Sequence, residues 1–339
     1  QPIVLNTLNS LLDMDAEGTP VEKDEEVRKR ALAAKESIEL KILFYEVLQR
    51  IFYGLSLGSI LLLIATGLAI TFGVMGVINM AHGELIMLGA YTAYVVQLLL
   101  PGSIEYSILV AIPLAFTVSG LCGILIERYV IRYLRGRPLE TLLATFGISL
   151  ILQQTVRSVF SPLNRQVISP SWLSGSLEIN PVFSLTYNRL YILAFAIIVL
   201  LCLQLVLKKT KLGLQVRAVS QNRAMARSMG VRTERVDALT FGLGAGVAGV
   251  AGVALSQLTN VGPNLGQAYI VDSFMVVVFG GVGNLWGTMV GGFTLGIANK
   301  FLEPMTGPVL ANIFVLIFII LFIQKRPSGL FPQRGRATE

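Results

Sequence analysis

From Ile51 onward the chain alternates between long apolar runs and short polar loops. The runs cover residues 51–72, 74–100, 104–126, 141–160, 189–207, 238–257, 268–303 and 309–324. Most approach or exceed the roughly 20 residues that a helix needs to cross a bilayer. The pattern predicts an all-α fold, a polytopic membrane helical bundle of about 8–10 spans. Two runs are interrupted. Asn79-Met80-Ala81-His82-Gly83-Glu84 breaks the second, and Phe279-Gly280-Gly281-Val282-Gly283-Asn284 breaks the seventh. Both are expected to be broken or re-entrant helices at membrane depth. Irregular backbone survives there only when buried in protein or lining a wet cavity.

The first fifty residues are a different material, with 10 of the 20 acidic residues and 7 of the 27 basic ones. Thr19-Pro20-Val21-Glu22 reads as a capped helix start. Val27, Ala31, Ala34, Ile38, Ile42 and Tyr45 recur at helical spacing and predict one apolar stripe. This is an amphipathic helix feeding into the membrane or the tail of a separate soluble domain, and its charges read as a solvated face. The expected organisation is an extension over 1–50, a transmembrane domain over 51–326 containing the loop 208–237, and a tail over 327–339.

Composition sharpens the class. Hydrophobic residues make up 54% and charged ones 14%, well below the quarter typical of soluble domains. Loops 127–140, 208–237 and 325–339 hold sixteen Lys and Arg, whereas loops 101–103, 161–188, 258–267 and 304–308 hold only Arg165. That asymmetry puts the basic loops, and the C-terminus, in the cytoplasm. Parity then requires 268–303 to start and finish outside, as a re-entrant hairpin or two short spans. If 74–100 crosses once the N-terminus is outside; if twice, inside. A net charge of +7 in such a chain reads as orientation, not as nucleic-acid binding.

Enzymatic chemistry finds no support in the motifs. The dipeptide Gly-Lys does not occur, so there is no P-loop for ATP, and one His cannot build an H-E-x-x-H metal site. Gly244-Ala-Gly246-Val-Ala-Gly249 matches a dinucleotide fingerprint but lies inside an apolar run with no preceding strand. Gly242/Gly246, Ala245/Gly249 and Ala248/Gly252 read instead as small-xxx-small pairs that let helices approach. Two features remain as candidates. Asn79, His82, Gly83 and Glu84 at one break, with Gly280, Gly281, Gly283, Asn284 and Trp286 at the other, place polar groups and free backbone where a solute path would need them. His82 and Glu84 are two apart, so on a regular helix they do not face each other, and satisfying broken backbone is the plainer role. In the long basic loop, Gly213, Arg217, Ala218, Asn222, Ala226 and Gly230 suggest a helix with a small, flat face rimmed by Arg, suited to docking in a partner's groove. A surface helix merely obeying the positive-inside rule is the alternative.

These motifs carry a resemblance. Gly73-Val-Met-Gly-Val-Ile-Asn79-Met-Ala-His82-Gly83-Glu84, Leu139-Glu-Thr-Leu-Leu-Ala-Thr145, the Gly213–Gly230 loop, Asp272 through Gly287 and Phe322 through Phe331 resemble the permeases of branched-chain amino acid ABC importers, and within them the urea-importer branch. The resemblance covers about 48–335. It implies a bacterial inner-membrane subunit forming half of a solute pathway, with urea as the expected solute. A branched-chain amino acid or short amide is the alternative, and a passive small-solute channel the rival from another class. It further implies a second homologous permease, two ATP-binding subunits that hold the ATP and Mg, and a periplasmic solute-binding protein. This chain itself would carry no cofactor or metal. Some urea permeases have a periplasmic N-terminal extension, which favours an outside N-terminus.

Overall fold

A computed structural model describes residues 2–12 and 24–331. The expected helix start at Thr19-Pro20-Val21-Glu22 and most of the expected 327–339 tail lie outside them. The helices are α1 (Pro2–Leu12), α2 (Glu25–Met75), α3 (His82–Leu99), α4 (Ile104–Tyr129), α5 (Pro138–Phe160), α6 (Tyr187–Lys209), α7 (Lys211–Gln221), α8 (Arg223–Ser228), α9 (Thr233–Ser256), α10 (Gln267–Gly280), α11 (Leu285–Thr306) and α12 (Pro308–Lys325). Strands β1 (Ser176–Asn180) and β2 (Phe183–Thr186) form an antiparallel hairpin. Two compact units emerge, Gln1–Phe52 with Ser176–Thr186, and Tyr53–Gly175 with Tyr187–Glu339.

In the first unit the predicted stripe is covered only in part: Ala31 is buried and Ile38, Ile42 and Tyr45 are half-buried, whereas Val27 and Ala34 are exposed. Helix α2 passes residue 50 without interruption, running from Glu25 to Met75. The hairpin joins this unit. Ser184 N donates to Gln49 Oε1 at 3.1 Å, and Tyr45 stacks on Phe183 with ring centroids 6.3 Å apart. The 161–188 segment therefore departs from the expected plain loop. Its signal is the alternation Leu177/Ile179 and Phe183/Leu185 around Asn180-Pro181, too short to stand out beside the apolar runs.

The second unit holds the bundle. Among the described residues, six helices (α2, α4, α5, α6, α9 and α12) are long and apolar enough to cross a membrane, with α10 a shorter apolar helix and α3 and α11 packed among them. The centre is α9, buried along nearly its whole length between α3 and α4. Small residues make this possible. A Cβ on Gly249 would fall 2.6 Å from the Ala115 carbonyl, and one on Gly252 would fall 2.8 Å from Ala90 N. The glycines of 244–249 are thus contact points between helix backbones, as the small-xxx-small reading expects. One end of the unit gathers the end of α2, the 130–137 loop, α8, the start of α9, the 281–284 turn and the chain after α12. The other end gathers the start of α4, the 161–173 segment, the start of α6 and the end of α9.

Candidate solute path and docking loop

Helix α2 ends at Met75, where Gly76 takes φ +67° and the chain turns back. Residues 76–81 run alongside α2 as non-helical backbone, with Val77, Asn79 and Ala81 buried, until α3 begins at His82. His82 Nε2 lies 3.1 Å from the Ile64 carbonyl oxygen, so that nitrogen must carry the proton. Ile64 stands eleven residues before the end of α2, about 16 Å along the axis. The first break is therefore a re-entrant strand of chain that climbs to mid-helix depth before α3 starts, as the sequence pattern predicts.

Side chains replace the missing backbone ladder. Asn79 Oδ1 accepts from Ala81 N at 3.0 Å, and Met80 N donates to Thr145 Oγ1 at 3.2 Å. Glu84 is fully buried; its Oε1 accepts from Ser149 Oγ at 2.9 Å and Gln153 Nε2 at 2.7 Å. His82 thus ties the start of α3 to α2 while Glu84 ties it to α5, and no hydrogen bond joins the two. Asn79 Nδ2, His82 Nδ1 and Glu84 Oε2 are buried without a protein partner. The other half of this arrangement lies on α5. Thr141, Thr145, Ser149 and Gln153 form one buried stripe of α5, while Leu139, Leu143, Leu150 and Ile151 on its other faces are exposed. Four polar residues at strict i,i+4 spacing inside an apolar run were the signal. Gly83 lets α3 touch the loop before α10, since a Cβ there would sit 2.8 Å from the Gly266 carbonyl.

The second break differs from its expected place. Helix α10 has 14 residues, about 21 Å, and delivers the turn to the end of the bundle instead of mid-depth. There Gly281 and Gly283 take φ +106° and +82°, and Asn284 caps α11 by accepting from Trp286 N at 3.1 Å and Gly287 N at 3.3 Å. The chain after α12 closes over it: Leu330 N donates to the Phe279 carbonyl at 2.9 Å and Phe331 N to the Gly280 carbonyl at 3.2 Å. Gly283 also meets Gly73, where a Cβ would lie 2.5 Å from its Cα. Trp286 is half exposed at this end. The interruption of 268–303 is two helices joined by a tight, covered turn.

The docking loop is corrected too. Asn222 is not helical: at φ −152°, ψ +102° it ends α7 and caps α8, accepting from Met225 N at 2.9 Å. The expected single small face is therefore split in two. Ala226 turns inward, buried with Val216, Val219 and Val236, and Ala218 packs against that cluster. Gly213 abuts the end of α6 at Leu207, Arg217 donates to the Leu207 carbonyl, and Gly230 at φ +83° releases the chain from α8. The residues singled out mostly build the loop. Its outward face carries Leu214, Met225 and Met229, with Met229 78% exposed.

Ion pairs fasten this loop to the bundle. Arg223, at the start of α8, and Arg135 both meet the fully buried Asp237 of α9. Arg135 also reaches the fully buried Glu127 at 2.7 Å, and Arg132 joins Glu127 at 3.8 Å and Glu234 at 3.2 Å. Arg223 and Arg135 line a cavity of about 440 Å³ together with Met75, Gly76, Val77 and Thr141. The cavity therefore lies between the 208–237 loop and the foot of the re-entrant segment.

The described residues thus form a polytopic helical membrane bundle with a buried polar re-entrant segment and a loop that shows apolar side chains outward. The model of the family described as branched-chain amino acid transport system / permease component matches residues 50–323. The chain belongs to that family, as a transport subunit and not an enzyme. It is 32% identical over 297 residues to the high-affinity branched-chain amino acid transport system permease protein BraD of Pseudomonas aeruginosa, covering 84% of this chain and 96% of that one. It is 33% identical over 298 residues to the corresponding protein LivH of Escherichia coli K12, covering 85% and 96%. The ribose import permease protein RbsC of the same organism is 26% identical over 255 residues, covering 72% and 75%. No solved structure matches the chain.

Proposed function

We propose that this chain is the pore-forming permease of an ABC importer for branched-chain amino acids in the bacterial inner membrane. The observation that carries the substrate is the similarity over 96% of BraD and LivH, whose names specify branched-chain amino acids. The expectation of urea has no support in these comparisons. The solute passes beside the re-entrant segment, where Asn79, His82 and Glu84 keep polar atoms unpaired at depth. Such atoms are costly in a membrane unless a solute or water meets them. The covered turn at Gly280, Gly281, Gly283, Asn284 and Trp286 holds the cytoplasmic end of the path closed. A second homologous permease completes the path, a periplasmic binding protein delivers the solute, and two ATP-binding subunits supply the energy.

The loop 208–237 is the docking element for the ATP-binding partner, through Leu214, Met225 and Met229. Eight of the sixteen cytoplasmic cations lie in it, which supports its cytoplasmic side and a C-terminus inside. With one crossing between residues 76 and 99, the N-terminus is periplasmic. The test is ATP hydrolysis by the assembled complex, stimulated by binding protein loaded with leucine or with urea. Stimulation by the leucine form supports the reading. Stimulation by the urea form alone returns the substrate to urea, and solute flux without ATP makes the chain a channel.

A further inference from the structure

The cavity of about 440 Å³ beside Met75 carries charge of a single sign on its wall. Arg135, Arg137 and Arg223 line it, and among the described residues no Asp or Glu does. The acids that pair with these arginines are off the wall: Asp237, fully buried on α9, meets Arg135 and Arg223, and Glu127 meets Arg135. A guanidinium has five N–H donors in a planar fork, so paired arginines still have donors to offer. Arg135 shows the remainder, with a buried Nε that finds no acceptor in the protein. A buried donor without an acceptor is costly, so this wall asks for an anion. Arg137 pairs with Glu140 at 3.1 Å, and both are more than half exposed, which puts this arginine at the mouth.

The position of the cavity selects the kind of anion. Met75 is the last residue of α2 and Pro138 the first of α5, two helices long and apolar enough to cross a membrane. The cavity therefore lies where these spans meet the membrane surface, at the level of lipid headgroups. Its rim is open: Gly76 and Gly136 line it with φ +67° and +79°, and a Cβ on either would have nothing within 4 Å. From Pro138 an apolar track leads away. Leu139, Leu143, Phe146 and Leu150, spaced four, three and four apart, form one exposed stripe along α5, with Leu139 81% and Leu143 70% exposed. Basic pockets between helices at a membrane surface suit anionic headgroups, and here the hydrocarbon has its own surface beside the pocket.

We propose that this cavity binds the phosphate of an anionic phospholipid, with an acyl chain lying along the Leu139–Leu150 stripe. Arg135 and Arg137 come from the loop before α5 and Arg223 from α8, so the bound headgroup fastens the 208–237 loop to the foot of the re-entrant segment. A zwitterionic lipid carries the same phosphate but brings a cation among the arginines, so net charge decides the preference. A free phosphate matches the arginines but makes no use of the stripe.

The assembled complex is placed in nanodiscs of equal phosphatidylglycerol and phosphatidylcholine, and retained lipid is read by native mass spectrometry. The parent should retain phosphatidylglycerol over phosphatidylcholine by about thirtyfold, the value of two basic side chains near a charged membrane surface, because pairing with Asp237 weakens the third. Arg137→Gln should lower that preference about fivefold. Arg128→Gln removes an exposed cation of α4 that does not line the cavity and should leave the preference unchanged. Leu139→Ser with Leu143→Ser should lose retained phosphatidylglycerol while melting in phosphatidylcholine alone stays that of the parent, and excess inorganic phosphate should displace little lipid. A parent ratio near one, or an equal fall in Arg137→Gln and Arg128→Gln, overturns the proposal. So does full displacement by inorganic phosphate, which makes the cavity a site for a free anion.

Discussion

Asp237→Asn removes one negative charge from the ion cluster without changing the side chain's size. The carboxylate is fully buried and meets Arg135 and Arg223, so the substitution replaces two charge-assisted contacts with at most one weak one. Each such contact is worth about 1.5–3 kcal/mol when both groups are out of water. The arginines are 24% and 36% exposed, so solvent recovers part of that loss, and Arg135 keeps Glu127. A net cost of about 2–3 kcal/mol follows. Because Arg223 begins α8, the loss should fall on the 208–237 loop as well as on global stability. The assay is a double-mutant cycle with Arg223→Gln, read by thermal melting of the purified complex and by hydrogen exchange over 223–230. The single variants should each lower the melting temperature by several degrees, the pair should be less than additive by about 1–2 kcal/mol, and the 223–230 amides should exchange faster. Additive losses, or unchanged exchange in that segment, would refute the idea that this cluster anchors the loop.

Three further outcomes are expected. Met225→Ala with Met229→Ala should leave melting unchanged but weaken partner binding at least about fivefold, whereas Ala226→Trp should cost about 1–3 kcal/mol of stability by overfilling a buried site; pull-down of the ATP-binding subunit and melting separate the two. Gln153→Leu should destabilise the complex by about 1–3 kcal/mol by stranding Glu84, with Ser149→Ala costing less, checked by melting. Gly83→Val should push α3 from the Gly266 carbonyl and lower uptake in complexes that still assemble; normal uptake would place the path away from this contact.

The helices of the bundle were legible because apolar length and loop charge are strong, additive signals. Runs such as 189–207 and 309–324 agree with α6 and α12 to within a few residues. The first break was legible for a different reason: Asn79, His82 and Glu84 have no plain place in a lipid-facing helix. Depth was not. Gly280-Gly281 and Asn79-Met80 read alike as interruptions, yet one turn lies at the bundle end against Gly73 and Phe331 while the other climbs beside α2. The docking loop failed at a single residue. Helical spacing of Ala218, Asn222, Ala226 and Gly230 assumes one rod, but Asn222 hydrogen-bonds locally and caps a new helix, the role this residue type favours. The partners of Glu84 were present as a stripe on α5, yet which helix lies against which break is a tertiary fact that periodicity does not carry.

The proposed role, inward transport of branched-chain amino acids at the expense of ATP hydrolysed by partner subunits, is open to direct measurement. Vesicles containing the full complex, with binding protein outside and ATP inside, measure it directly by accumulation of labelled leucine against its gradient. ATP-dependent accumulation of leucine, isoleucine and valine is expected, abolished without the binding protein, with no accumulation of urea. Accumulation of urea but not of leucine, or equilibration of either without ATP, would contradict it.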